Sequence, residues 1–406
     1  MLFYKYQKPG NLEFNILRSG EVYFASVGEL IDASECRPRF ILKGREELWQ
    51  RLAQFVLAHA CFGSDYFQHD KKDEIRQIFG LSEAIGRQLK KNARNRDFGI
   101  EGLGSAFLKT LKLCGSEKLP PFLLRFTEHL TSSFIERELP RVLLDEKYIA
   151  SFALNATNPT MWGHYADAER GFVRVFGTDD GTVNVHSALN VLHGTRPPKE
   201  DGGFTEIGIY KDERLELKKV EYGKKPPKVN AFHRLIHQFS YTEKEDHYDV
   251  PLQIGGDAEE KKENLIGLVK YSDWRYEKEV RAFFPAFDLL PPDVRLLRIS
   301  LENIKGLVFE PKMSPENKAR AVLSCHVMKQ ARSSEKGIEC ELAFFQAQQA
   351  LDKFDLAIRP IGILSGQYFG RRQLPLKPLR ELDETTIARL HATADLIAGR
   401  KQPCSC

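Results

Sequence analysis

Lys270–Phe284, KYSDWRYEKEVRAFF, is the stretch whose reading decides the fold. Its second half alternates, and in a strand side chains two apart share a face. Glu277, Glu279 and Arg281 then line one side with Phe283, while Val280, Ala282 and Phe284 turn toward a core. Two carboxylates and a guanidinium on one sheet face are costly to bury without a purpose. The plain alternative is a solvent-exposed strand with alternating charges. A second stretch, Ser151 to Phe176, weighs toward a site.

That stretch is introduced by a short strand, Tyr148 to Ala153 (YIASFA), which ends at polar NATN. Thr157 or Asn158 caps a helix that has Pro159 in the first position, where proline is favoured. Trp162, Tyr165 and Glu169 fall on one helix face. By default a Trp and a Tyr on a short helix are core packing. Gly171 then launches a further strand, GFVRVF.

Toward the N-terminus, Leu2–Tyr6 and Glu21–Ser26 read as strands around a short helix from Asn11 to Arg18, which Gly20 ends. From about Arg45 to Asp145 the apolar period is helical, as in Leu48, Leu52, Phe55 and Val56. The basic run Lys90–Asp97 is read as a solvated helix end rather than a phosphate patch. Toward the C-terminus, Leu215–Tyr222 alternates as a strand, Val229–Phe239 is helical, and Tyr241–Glu263 is charged and Gly-rich, a mobile loop. Strands at Val294–Ile299, Gly306–Phe309, Leu342–Ala347 and Phe354–Ile358 surround a helix at Glu316–Lys329. RRQLPLKPLR is a proline-spaced linker, and Ile387, Leu390, Ala394 and Ile397 mark a last amphipathic helix.

The expected fold is α+β, a mainly antiparallel two-sheet core with a large helical insertion. Its parts are 1–44, the N-terminal part of the core; 45–145, the insertion; 146–361, the rest of the core; and 362–406, a linker and terminal helix. With 406 residues, 42% apolar and 29% charged, the chain has an ordinary globular composition. A net charge of +4 gives no general nucleic-acid-binding character. MLFYKYQKPG has no apolar leader, no run is long enough for a membrane helix, and seven scattered cysteines form no framework. These features predict a cytoplasmic protein with no membrane partner.

The order LFYKY, GEVYFAS, SFALNATNPTMWGHYAD, RGFVRVF, VEY and WRYEKEVR resembles the bacterial family called domain of unknown function 2971, over roughly residues 1 to 360. Its specific parts here are MW-x-x-Y and W-x-x-E-x-E-x-R. The chain departs from the pattern at Ile31-Asp32-Ala33, where Asn-Asp-Pro is expected, and at Glu169-Arg170, where His-Lys is expected. A more distant resemblance is to the ADP-ribosyltransferase core, with an aromatic first strand, a Ser-rich turn into a Tyr-bearing helix, and a late Glu-x-Glu strand. That resemblance implies NAD as a substrate and Glu279 or Glu277 as the catalytic carboxylate. It implies that Trp162 and Tyr165 stack the nicotinamide, Ser151 orients the late glutamate, and Tyr4 or Lys5 anchors the dinucleotide. The implied acceptor is a protein or nucleic acid, in a toxin, defence or modification role.

Two other classes compete. Asp212, Glu216 and Lys218 have the D…E-x-K spacing of a metal-dependent nuclease, in which two carboxylates hold Mg²⁺ and the lysine positions water. His233 and His237 have the spacing of zinc ligands, but no glutamate follows His233; they are read as polar helix flanks, and no metal is expected. The third class is a non-enzymatic ligand-sensing or interaction module.

Overall fold

The computed structural model describes residues 1–30, 32, 35–62, 72–93, 97–116, 118–119, 121–144, 147–168, 170–193, 208–239, 257–285, 290–336, 341–350, 355–364 and 374–400. Outside these lie Ile31 and Ala33, Glu169, the middle of the basic run at 94–96, most of the 241–263 loop, and the first three residues of the proline-spaced segment. The chain divides into two compact units. One comprises Met1–Glu35, Glu146–Lys224 and Lys270–Cys406; the other comprises Cys36–Asp145 and Lys225–Val269.

The first unit is built on a ten-stranded sheet. Leu2–Gln7 runs antiparallel to Phe172–Gly177 along its whole length and meets Lys147–Ala153 on the other side. Lys147–Ala153 in turn pairs fully with Glu279–Pro285. Between the strands Leu2–Gln7 and Glu21–Tyr23, the helix Asn11–Ser19 ends at Gly20, whose φ of 73° supplies the left-handed cap. Phe3, Phe14, Phe152, Phe172 and Phe176 fill a core with Val22, Val183, Val185, Leu297 and Ile299 from a four-stranded sheet. Tyr4, Val173 and Val175 alternate onto the other face, where Met161 and Trp162 of the helix Pro159–Tyr165 pack with them. There Leu390, Ala394 and Ile397 of the amphipathic helix Glu384–Ile397 cover them.

The expectation of a mainly antiparallel core is corrected on one point: the main sheet is mixed. Ile304–Phe309 and Ala343–Gln349 are parallel neighbours. The helix Pro315–Lys336 lies between them in the chain and returns it to the same end of the sheet, the crossover a parallel pair needs. Their close approach depends on Gly306, which has a φ of +151° and where a Cβ would stand 1.8 Å from the Ala343 carbonyl oxygen. The alternating run Leu215–Tyr222 is also broken, into the end of Gly208–Glu216, then Lys218–Lys219 and Glu221–Gly223.

The second unit is mostly helical. Glu46–Phe62, Lys72–Ala93, Leu103–Gly115 and Pro121–Ser133 bury a stripe that includes Trp49, Leu52, Phe55, Ile85 and Phe107. Phe232 of the helix Ala231–Phe239 joins the same core. A small sheet sets Lys228–Asn230 parallel to Arg39–Leu42, and the Asn230 amide donates to the Lys43 carbonyl at 2.8 Å. Among the described residues no helix is long and apolar enough to cross a membrane.

Candidate functional site

A cavity of about 300 Å³ opens in the first unit where one strand edge is shared by two neighbours. Leu2–Gln7 pairs with Lys147–Ala153 only at Tyr4 opposite Ala153. Further along that strand, Ala25 and Ser26 take Ile149 and Tyr148. Between these pairings Ser151 and Phe152 line the cavity, and side chains satisfy backbone carbonyls there and just past the strand end. Lys5 Nζ donates to the Ser151 carbonyl at 3.0 Å, and the Tyr6 hydroxyl to that of Asn155 at 2.8 Å.

The opposite edge of the same strand is fully paired, setting Arg281 opposite Ser151 and Glu279 opposite Ala153. Glu279 and Arg281 share a strand face, as their spacing predicts. Glu277 does not share it. The chain makes a 3₁₀ turn over Ser272–Glu277, Lys278 adopts a left-handed φ of 44°, and the strand begins at Glu279. The turn nevertheless returns the Glu277 carboxylate to its neighbour, since one lysine touches both. Lys270 Nζ lies 2.6 Å from Glu277, 2.8 Å from Glu35 and 3.4 Å from Glu279.

Arg281 completes the cluster. Its Nε lies 2.7 Å from one Glu279 oxygen, and its Nη2 lies 3.0 Å from the other and 2.5 Å from Glu35. All five side chains are at most 7% exposed. Such burial is tolerable only because each charge meets an opposite one in good geometry. Formally, three carboxylates face two cations, so the cluster carries one surplus negative charge beside the cavity.

The environment sets the protonation states. Burial pushes the Glu279 carboxyl up, but Arg281, Lys270 and a hydrogen bond from Ser151 outweigh it and hold the pKa below the usual range. Burial pulls Lys270 down, and Glu279, Glu277 and Glu35 overcome this and raise it. Lys5 has no such escort. Burial and the Arg174 guanidinium, only partly offset by Glu279, bring it down to about 8. The Tyr165 hydroxyl donates to Glu277 at 2.6 Å, and burial and that carboxylate keep it protonated by raising its pKa. The Tyr222 hydroxyl accepts the Glu279 backbone N–H at 2.8 Å and fixes the start of the strand.

Glu279, Glu277, Tyr4, Lys5, Ser151 and Tyr165 all line the one cavity. Trp162 is not among its lining residues. It is fully buried on the apolar face, with its indole N–H donating to the Ala156 carbonyl at 2.8 Å and its ring edge-on to Tyr6. Asn158 caps the helix Pro159–Tyr165 by accepting the Thr160 N–H, and this sets Tyr165 at the helix end toward Glu277. Sequence reasoning gave no role to Glu35, Lys270 or Tyr6. Glu35 follows a stretch with no period, whereas Lys270, seven residues before Glu277, lay within reach of the charge pattern.

The other singled-out residues stand elsewhere. Asp212 is exposed beside His186, and Glu216 pairs with Lys218 at 3.7 Å. His233 faces Glu263 at 3.0 Å. Among the described residues no three His, Cys, Asp or Glu side chains are grouped to hold a metal ion.

Residues 161–282 match a family model described as a protein of unknown function, DUF2971. The matched segment runs from the Trp-Tyr helix to the Glu-x-Glu strand and so contains Tyr165, Lys270, Glu277, Glu279 and Arg281. No curated protein and no solved structure was found to match the chain.

Proposed function

We propose that the cavity is the active site of an enzyme that breaks the N-glycosidic bond of NAD, passing the ADP-ribosyl group to a protein or nucleic-acid acceptor or to water. One observation carries this reading: Glu279, Ser151 and Tyr165 come from three separate elements and line one cavity. The surplus negative charge of the cluster supports it too. The nicotinamide ring of NAD is cationic before cleavage, and positive charge grows on the ribose as the ring leaves with the bonding electrons. Fixed carboxylates beside that carbon stabilise the developing charge without reorganising. Glu279, held by Arg281, supplies that field, and Glu277 stands next to it with Tyr165 as its donor.

The rest of the cavity suits the same substrate. Tyr4, Tyr6 and Tyr165 offer ring surface, and Lys5, cationic at neutral pH, is placed to meet an anionic part of the dinucleotide. The volume of about 300 Å³ suits a ring with its ribose rather than the whole molecule. Among the described residues Cys36, Cys61, Cys114 and Cys325 form no disulfide, in keeping with an enzyme of the cytoplasm.

The saturation of Glu279 by Arg281 and Lys270 favours a second reading, a pocket that senses a ligand without turning it over. Nicotinamide release, measured together with calorimetric binding of NAD, separates the two. Release by the wild-type protein supports the enzyme, and binding without release supports the sensor. A wild-type protein that neither binds nor cleaves NAD overturns both NAD-based readings.

A further inference from the structure

Two lysines face the same cavity in opposite circumstances. Lys270 is caged by Glu35, Glu277 and Glu279 and held as an ammonium ion. Lys5 has no carboxylate within ion-pair distance among the described residues. Its amine donates to the Ser151 carbonyl at 3.0 Å and lies 5.5 Å from the centre of the Phe152 ring. Directly across the neighbouring strand stands Arg174, the register partner of Lys5. Arg174 is fully buried and itself lies over the Phe176 ring at 4.9 Å. A permanent cation placed there repels a second one. Lys5 is half-buried and lines the cavity, so its side chain borders the space a ligand would enter.

A lysine becomes a nucleophile when its neutral amine is populated and a substrate can reach it. We propose that Lys5 is a covalent capture site for a small hydroxyaldehyde. The neutral Nζ attacks the carbonyl carbon, a proton moves from nitrogen to oxygen, and the resulting carbinolamine loses water to leave an imine. One carbonyl compound and one amine give one imine and one water, with no oxidant or reductant. The walls fit the class, since the Glu277 carboxylate can accept a hydrogen bond from a sugar-type hydroxyl and the Tyr4 and Tyr6 rings line the space beside it. Glu279 is the charged group that opposes this chemistry, by favouring the ammonium form, and burial with Arg174 outweighs it. The proposal is independent of NAD cleavage, because labelling of Lys5 needs no nicotinamide release.

The test is reaction of the folded, full-length protein with glyceraldehyde and cyanoborohydride across pH 6 to 10, with each lysine read by peptide mass spectrometry. Lys5 is expected to label about tenfold or more faster than exposed lysines near pH 8, with a rate that levels off above that pH, while Lys270 stays unlabelled. Unfolding in urea should abolish the preference, and K5R should abolish the adduct without altering the labelling of other lysines. Labelling that spreads over exposed lysines with Lys5 no faster than they are, or a Lys5 that stays unlabelled at pH 9, overturns the proposal.

Discussion

Arg281 grips Glu279 at two points, Nε to one carboxylate oxygen at 2.7 Å and Nη2 to the other at 3.0 Å, while the same Nη2 reaches Glu35. A guanidinium shared between two buried carboxylates organises the cluster more than any single pair. Replacing it with an apolar side chain of similar length leaves both carboxylates facing each other. Arg281→Met should therefore cost about 3–5 kcal/mol of stability, read from denaturant unfolding. Arg281→Lys should recover only part of this, because an ammonium cannot reproduce the planar fork. Equal stability of both variants and wild type would show that Arg281 does not hold the two carboxylates as described.

Glu279→Gln keeps the shape and removes the charge. Nicotinamide release should slow about a hundredfold or more, the loss expected when one preorganised electrostatic contact disappears. NAD binding should change little, since Tyr4, Tyr6 and Tyr165 still line the cavity. Measured together, calorimetry and turnover distinguish this from a general collapse of the site, which would lower both.

Two groups give opposite pH signatures. Glu279 has a depressed pKa in the folded protein, below its ordinary 4.5. Its contribution is present above that ordinary value and lost as pH falls through the folded one. Glu279→Gln should flatten the acid limb of the stability curve. Lys5 falls from 10.5 to about 8, so between those values the unfolded chain binds more protons. Stability should rise with pH in that window, and Lys5→Met should remove the rise.

Much of this was legible in the sequence because it rests on local pattern. Val280, Ala282 and Phe284 are in the core as their alternation requires. Pro159 after Asn158 marks the helix start, and Gly20 the end of the first helix. Non-local geometry was not legible. Nothing in EKE indicates that Lys278 turns left-handed and takes Glu277 off the strand. The Ile304–Phe309 and Ala343–Gln349 strands look alike in either direction, so only the path of the intervening helix makes them parallel. Glu35 meets Arg281 across 246 positions, a pairing no spacing rule contains.

Trp162 and Tyr165 lie three positions apart on one short helix, and their substitutions should separate cleanly. Trp162 is fully buried among Tyr4, Val173 and Ile358, and its indole N–H occupies the Ala156 carbonyl. Trp162→Phe leaves a void and an unpaired carbonyl, a cost of about 2 kcal/mol or more in stability. Ligand binding and turnover should stay within about twofold, a difference of a few tenths of a kcal/mol. Tyr165 is only half-buried, and its hydroxyl meets Glu277 at 2.6 Å. A hydrogen bond to a charged acceptor contributes about 1.5–3 kcal/mol, with partial exposure favouring the lower end. Tyr165→Phe should therefore slow turnover about tenfold with little loss of stability, because the ring still fills its place while Glu277 loses the donor that aims it. Thermal melts and steady-state rates on the two variants decide the matter. The opposite pattern, a stable but inactive Trp162→Phe, would put the indole in the site and the tyrosine in the core.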